Sequence, residues 1–498
     1  MIEGITLGLT TVLTLQNLML VLAGCAVGTL IGMLPGLGPI SAIALMIPVT
    51  YGFEPSSGMI LLAGVYYGAI FGGSTSSILI NAPGVAGTVA TAFDGYPMAK
   101  QGEPGKALAT AAYASFAGGT LAAVLLALSA PWLADLALSF QSVDYFLMLV
   151  LGLSLVSAFS AAGEHIKALI MTFLGLALAM VGTDLTAGVQ RYTFGRMDLV
   201  DGISFLLLAM GTFALSEALM MILFRNRQEE QPPIPSSGLN LSRREFGRIM
   251  PVVSRSSVMG FIVGVLPGAG ATIASFLAYG TERRLNRDQP DFGNGNIRGL
   301  AAPEAANNAA CTGSFVPLLT LGIPGSGTTA VLLGALIAYG IQPGPRLYVD
   351  QPEIFWSVIV SMYVGNLFLL ALNLPLIPYL ARLLAVPRQF LIPLIVFFSM
   401  MGVYLVSFNP FDLQLMVLVA VMALLLRLLS FPMAPLLLGF ILGGMLEDNL
   451  RRTLTISDGD LSYFFDRPLT LLLATLVVLV LISPLLQWWQ SRGVQRNA

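Results

Sequence analysis

GTLIGMLPGLG at Gly28–Gly38 and GFIVGVLPGAG at Gly260–Gly270 are two versions of one segment, 232 residues apart. Six of the eleven positions match: both glycines of the opening GxxxG, then a leucine, a proline, a glycine and the last glycine. Both copies sit in strongly apolar sequence. Proline there removes a helix donor and clashes with the preceding turn, while glycine admits backbone that no helix continues. Two matching interrupted helices in a membrane chain predict a secondary transporter built from repeats, with its binding site at the breaks.

Working outward, the composition sets the medium. The chain has 498 residues, 56% hydrophobic and 10% charged, with a mean hydropathy of +0.83. A soluble fold of this size cannot hide so much apolar surface. Apolar runs recur end to end, at 145–159, 166–181, 203–224, 354–374 and 413–429 among others. About 20 residues cross hydrocarbon, so roughly 10–14 membrane segments are expected, some of them partial crossings. The start, MIEGITLGLT, lacks the basic stretch of a cleavable leader. The residues up to about Asn17 are expected in the interface. Cys25 and Cys311 read as small buried hydrophobes, with no CxxC or Cys/His spacing for a metal.

Basic residues mark cytoplasmic loops. None precedes Lys100, which puts the N-terminus and the Tyr51–Ser57 loop outside. Arg225, Arg227, Arg243, Arg244, Arg248 and Arg255 bracket the Pro/Ser-rich QPPIPSSG, so a cytoplasmic linker at 226–250 is expected to divide a repeat at 1–225 from one at 251–498. After the first break the loop YGFEPSSG carries no basic residue; after the second, YGTERRLNRDQPDFGNGNIRG carries four arginines. Equivalent loops of opposite charge character predict halves inserted upside down relative to each other. The fold expected is therefore an all-α polytopic membrane protein with two inverted-topology repeats, each with a broken helix (near 35–38 and 267–270) and a re-entrant-like helical hairpin (near 66–94 and 306–340).

The repeat extends past the breaks. FGGSTSSILINAPGVAGT (Phe71–Thr88) pairs with CTGSFVPLLTLGIPGSGT (Cys311–Thr328) if one gap is allowed. A weaker third pairing sets Gly182–Thr193 against Gly443–Leu454. Backbone freed at a break must be satisfied by protein, water or ligand. A half-helix N-terminus offers free N–H groups and partial positive charge to a carboxylate, and freed carbonyls suit Na+. The candidate substrate residues are Ser74, Thr75, Ser76, Asn81, Pro83 and Gly84 in the first hairpin. In the second they are Asn307, Asn308, Ser314, Pro324, Gly325, Ser326, Gly327 and Thr328. Gly36, Gly38, Gly268, Gly270 and Thr272 are the candidate cation residues. These are hydroxyls, amides and glycines with no fixed cation among them, so an anion held there calls for a co-transported Na+ or H+.

Other features read as ordinary. GIPGSGTT (Gly322–Thr329) lacks the lysine of a phosphate loop and follows no strand. His165 reads as a loop residue. Glu447, Asp448, Arg451 and Arg452 read as a loop or an ion pair between elements. Asp94 reads as a cap at a hairpin end, and Glu304 is the best carboxylate for the site. An intramembrane enzyme needs a nucleophile–base pair or a metal cluster. Neither is legible, so no enzyme and no resident cofactor are expected.

GMLPGLGPISAIALMIPVTYGFEP, YYGAIFGGSTSSILINAPGVAGTVATAFDGYPMAKQG, GLAAPEAANNAACTGSFVPLLTLGIPGSGTTAVLLGALIAYGIQPGP and LGGMLEDNLRRTLTISDGD together resemble the large membrane subunit of bacterial tripartite tricarboxylate transporters (the TctA family), in order and spacing over almost the whole chain. The resemblance implies a partner membrane subunit of about four helices and a periplasmic solute-binding protein. It also implies secondary transport of citrate-like carboxylates driven by an ion gradient, typically Na+, across the bacterial inner membrane, with an elevator-like motion. By the same resemblance the paired blocks Pro35–Gly38, Ser74–Gly84, Pro267–Gly270 and Asn307–Thr328 form the substrate and ion region. No nucleic-acid partner is implied.

Overall fold

The computed structural model describes residues 1–34, 37–158, 165–184, 186–224, 240–268, 270–286, 291–376 and 388–496. Side chains at 156–158, 388–389 and 483–496 are outside that description. The chain is helical almost throughout. The first half runs α1 (Ile2–Val12), α2 (Leu15–Met33), α3 (Gly38–Thr50), α4 (Pro55–Ile80), a 3-10 turn (Ala86–Thr88), α5 (Val89–Lys100), α6 (Pro104–Ala137), α7 (Ser142–Ala158) and α8 (His165–Ala179). A small antiparallel ribbon, β1 (Gly182–Thr183) and β2 (Gln190–Arg191), leads to α9 (Phe205–Leu223), whose middle turns at Met210–Leu215 are π-helical. The rest runs α10 (Arg243–Val265), α11 (Gly270–Leu285), α12 (Ile297–Gly313), α13 (Phe315–Leu321), α14 (Gly327–Ala338), α15 (Leu347–Asp350), α16 (Pro352–Asn373), α17 (Arg388–Ser407), α18 (Pro410–Leu428), α19 (Ala434–Ile456) and α20 (Pro468–Arg496). Of the expected linker, residues 226–239 lie outside the described residues, and the chain is helical from Arg243.

Among the described residues eight helices are long and apolar enough to cross a membrane, and six shorter apolar helices accompany them. The chain is a multi-pass helical membrane protein. Its helices differ in where they sit. The apolar window of α4 is 100% buried inside the protein, whereas those of α17 and α18 are only 22% buried and expose Phe397, Phe398, Leu418 and Leu425. So α4 is the axis of the fold and α17–α18 belong to its rim, where lipid is an acceptable neighbour.

Glycine explains how α4 becomes so enclosed. Gly24, Gly28 and Gly32 of α2 sit against the carbonyls of Leu61, Val65 and Ala69, and Gly64, Gly68 and Gly72 of α4 sit against Val21, Cys25 and Thr29. A Cβ at any of them would meet the facing backbone. Small residues at four-residue spacing let two membrane helices approach to main-chain contact, where dispersion takes the place of a hydrophobic driving force. The GxxxG of the opening motif is thus a packing device. The second copy does the same work: Gly260 sits against the carbonyl of Ala306 and Gly264 against that of Ala310.

These contacts fix the internal register. Val65 corresponds to Ala306 and Ala69 to Ala310, a constant offset of 241 residues. The offset persists without a gap through the tip: α4 ends at Asn81 with φ 51° and α13 ends at Gly322 with φ 69°. The N–H of Ala82 donates to Ser76 O at 3.4 Å, and that of Ile323 donates to Pro317 O at 3.1 Å. The single gap expected between the hairpin sequences is unnecessary.

The third pairing fails. Residues 182–193 fold as the short ribbon, whereas 443–454 lie within α19. Likeness of composition there had no common register, because a Gly/Thr-rich turn and a run of helix formers prefer different backbones. The two segments instead meet in space. Arg191 makes a bidentate pair with Glu447 at 2.8 and 3.2 Å, and Arg451 reaches Asp184 and Glu447, each at 2.7 Å. The backbone N–H of Ala187, with Thr186 and Arg451, holds the Asp184 carboxyl below its usual range. A carboxyl whose folded pKa is depressed stabilises above its unfolded pKa and loses that contribution as pH falls. The melting temperature of Asp184→Asn is therefore expected to lie a little below the parent's at pH 7, the gap closing as pH falls below the ordinary carboxylate range, measured on detergent-solubilised protein.

Candidate functional site

The two breaks are entered and left in the same way. Helix α2 ends at Leu34 (φ −82°, ψ 117°), whose N–H donates to Ile31 O; α10 ends at Leu266 (φ −76°, ψ 120°), whose N–H donates to Val263 O. Each next half-helix starts on a glycine in the left-handed region, Gly38 at φ 58° and Gly270 at φ 63°. Only glycine adopts that conformation without strain. Pro35 and Gly36 lie outside the described residues. Each break is met by the hairpin tip of its own half. The N–H of Gly268 donates to Gly325 O at 3.0 Å, and Gly38 faces Gly84 O. Gly270 and Thr272 open α11 and are half-buried.

The tips are built by local polar chemistry. In the first, Ser76 Oγ accepts the N–H of Gly84 at 3.1 Å, and Ser77 Oγ donates to Thr88 Oγ1 at 2.7 Å. In the second, Ser326 caps α14: its Oγ accepts the Thr329 N–H at 3.2 Å, and Thr329 Oγ1 accepts the Ser326 N–H at 2.8 Å. Ser76, Pro324, Gly325 and Thr328 are at or near the buried tips. Asn81 is exposed; it terminates α4. Pro83, Ser326 and Gly327 are half-buried.

The tips also cross between halves. The side chain of Asn307, on α12, occupies the space where a Cβ of Gly87 would lie, and Ala271 of α11 is beside it. Tyr66, on α4, stands at the position equivalent to Asn307, and its hydroxyl faces Cys311, Ser314 and Ser326 of the second half. On the other side Gly327 meets Ile40 of α3. So each long helix reaches the opposite hairpin, and each hairpin rests on the opposite half-helix.

At this crossing Asn307 Nδ2 has no protein partner among the described residues, and on the next residue of α12 Asn308 Oδ1 has none either; both residues are fully buried. Asn308 spends its Nδ2 on Glu304 O at 3.0 Å. Buried amide atoms left unpaired cost free energy, so each marks a place where a ligand or water is accommodated. Ser314 Oγ donates to Cys311 O at 2.7 Å and is closed to further donation.

Glu304 is not a loop residue. It is fully buried inside α12, and its carboxylate accepts hydroxyls from three helices of the first half: Ser74 and Ser115 on Oε2, both at 2.8 Å, and Thr91 on Oε1. Asp94 is a cap, but for the opposite half: its Oδ1 accepts the N–H groups of Gly293, Gly295 and Asn296 at 2.8, 2.9 and 2.7 Å, just ahead of α12. Tyr66, Thr91 and Ser115 were not legible as site residues. Their own neighbourhoods carry no break, and only the register of the repeat makes Tyr66 the counterpart of Asn307.

These features define a polytopic helical membrane protein with a polar, broken-helix centre. The chain belongs to the tripartite tricarboxylate transporter TctA family, whose model it matches over residues 18–438. It is accordingly a tripartite tricarboxylate transporter subunit, a class that works with a small membrane subunit and a periplasmic binding protein. It is 46% identical over 473 residues, 94% of this chain and 93% of the other, to an uncharacterized 52.8 kDa protein of Agrobacterium vitis from the TAR-I ttuC' 3' region. It is 44% identical over 236 residues to another from the TAR-II ttuC' 3' region, covering 47% of this chain and 98% of that one. No solved structure matches.

Proposed function

We propose that this subunit imports a di- or tricarboxylate of the citrate type across the bacterial inner membrane by cation symport, Na+ in preference to H+. A periplasmic binding protein delivers the substrate, and a small four-helix membrane subunit completes the complex. The observation that carries the reading is the crossing of hairpin tips and half-helix starts around the buried, unpartnered amide nitrogen of Asn307, with a second unpartnered amide atom on the adjacent Asn308. Half-helix N-termini at Gly38 and Gly270 supply N–H groups for carboxylate oxygens. The charge pattern of the loops favours inverted repeats, and the exchanged contacts suit a hairpin-bearing body moving as an elevator against α7, α8, α19 and α20. With no fixed cation among the candidate residues, a co-transported cation offsets the anion's charge. Carbonyls freed near Gly38, Gly268 and Gly270, with Thr272, would supply oxygen ligands to the cation at the breaks; the expected Gly36 lies outside the described residues.

The test is uptake of labelled citrate and related carboxylates into proteoliposomes holding both membrane subunits and supplied with the binding protein, under imposed Na+ or pH gradients. Uptake that needs neither a cation gradient nor the binding protein would favour another carrier or a channel. Asn307→Leu is expected to keep the fold, because it removes an unpaired polar atom. It is expected to lower uptake at least tenfold, as loss of a hydrogen bond to a charged group costs about 1.5–3 kcal/mol. Unchanged uptake by Asn307→Leu at equal protein abundance counts against the site.

A further inference from the structure

The three hydroxyls around Glu304 do more than satisfy it. A void of 10 Å³ lies beside them, lined by Ser74 and Thr75 of α4, Ser115 of α6 and Asn373 at the end of α16, with Phe71 and Leu108 as apolar walls. That is room for about one water-sized occupant.

The hydrogen bonds fix the polarity of the wall. A hydroxyl has one proton and two lone pairs. Ser115 gives its proton to Glu304 Oε2 at 2.8 Å, and so does Ser74, whose other acceptor, Ile70 O, is farther away at 3.3 Å. What these oxygens have left to offer the void is lone pairs. Asn373 spends its Nδ2 on Leu369 O at 2.9 Å, and its Oδ1 has no partner among the described residues although Asn373 is 3% exposed. That is a third acceptor without a donor. Ser74, Ser115 and Asn373 therefore turn acceptor oxygens to the void, the Thr75 hydroxyl stands beside them, and a carboxylate lies one hydroxyl behind. Among the described residues no Lys, Arg or His bonds Glu304. A buried carboxylate with only neutral partners is costly, and a cation in an oxygen-lined void next to it offsets that cost.

We propose that this void is a site for a single monovalent cation, Na+, with Ser74, Thr75, Ser115 and Asn373 Oδ1 as oxygen ligands and Glu304 as the outer carboxylate that orients the hydroxyls and balances the charge. It is made by residues other than the two breaks. Its ligands come from α4 and α6 of the first half and α16 of the second, and Glu304 and Thr91 bind the same two halves together. An ion here tightens the joint between α12 and the α5 arm of the first hairpin. In transport, which rests on the symport reading above, it links ion occupancy to the pose of the tip.

The experiment measures thermal stability of the full-length purified chain against Na+, with K+ and choline at matched ionic strength, and Na+-dependent uptake by the reconstituted complex in parallel. The parent is expected to be stabilised by Na+ in a saturable way and not by K+ or choline. Glu304→Gln keeps the shape but removes the charge, and its amide can turn the hydroxyls around. Loss of an outer partner lowers metal affinity by about 10–100-fold, and the Na+ midpoint should rise by that factor. Asn373→Leu guards against misfolding, since removing an unpaired buried acceptor leaves the fold intact; it should abolish the Na+ shift without lowering the melting temperature in choline. A saturable Na+ shift that persists unchanged in both variants overturns the site. So does stabilisation by acid that Glu304→Gln removes and Na+ does not compete with, which would assign a proton-binding group instead. A parent with no Na+-specific shift, a void holding water only, overturns it too. Na+ binding lost in the variants while uptake by the parent ignores Na+ leaves the site standing and refutes symport. Na+-driven uptake with unaltered variants refutes the site and leaves symport standing.

Discussion

Valine in place of Gly84 is expected to abolish uptake while the chain still inserts at normal abundance. Gly84 is the glycine of the first hairpin's Pro-Gly, and its N–H is held by Ser76 Oγ at 3.1 Å. A Cβ there would lie well inside contact with Gly32 O and 3.1 Å from Ser76 Oγ. The first obstacle is backbone, not the end of a flexible side chain. Gly32 cannot retreat either, because it is pressed against Ala69 O on α4. The tip must move instead. Overpacking of this kind costs about 1–3 kcal/mol of stability, which a protein held by many helix contacts survives. Function is more sensitive: a displacement of about 1 Å at a positioning group costs roughly a hundredfold in rate. Gly325→Val is expected to be milder. There the nearest atom is Ser314 Cβ at 2.9 Å, and the facing carbonyl, Gly264 O, is at 3.2 Å. Labelled-carboxylate uptake in vesicles, normalised to immunoblotted protein, gives the ranking parent, Gly325→Val, Gly84→Val. Normal uptake by Gly84→Val would remove the first tip from the transport path.

The contrast between those two glycines shows what the sequence could say. The breaks at Leu34–Gly38 and Leu266–Gly270 were legible because proline and glycine act on their own backbone, and six shared residues carry that local effect. The hairpin tips were legible for the same reason. The carboxylate cage was not, because it depends on distance along the chain: Glu304 is bonded by residues 230, 213 and 189 positions away. Serine and threonine in apolar helices commonly bond their own preceding turn, as Thr320 bonds Val316 O here. Nothing local separates Ser115, which bonds across, from Thr110, which bonds back to Lys106 O. Tyr66 was hidden differently. Its counterpart is an asparagine, so the repeat preserves the position and not the chemistry. The failed pairing of 182–193 with 443–454 is the converse: shared residue types without shared backbone.

Alanine in place of Asp94 is expected to produce the largest stability loss of any single change in the polar centre. One carboxylate oxygen, on a residue with 0% exposure, accepts three consecutive-loop N–H groups, from Gly293, Gly295 and Asn296. Those donors precede α12, where Asn296 caps the helix by accepting from Arg298 and Gly299. Asp94 therefore ties the end of the first hairpin to the helix that carries Glu304, Asn307 and Asn308. Its negative charge also lies at the N-terminal, positive end of that helix. Gly299 is required by the same contact, since a Cβ there would meet Asp94 Oδ2. Truncation leaves donors buried without an acceptor, at about 1–3 kcal/mol for each. Even with water reaching one of them the loss is about 3 kcal/mol or more. Asp94→Asn keeps an acceptor oxygen and gives up the charge, so its loss is expected to be roughly half as large, since a hydrogen bond to a charged group is worth about twice a neutral one. Thermal melts of the purified chain should rank parent, Asp94→Asn, Asp94→Ala. Hydrogen exchange should open first at 293–300 in the alanine variant. If Asp94→Ala melts with the parent, the cap does not hold α12. The Glu304 cage would then be the stronger polar tie between α12 and the first half, and Thr91→Val should become the more damaging substitution.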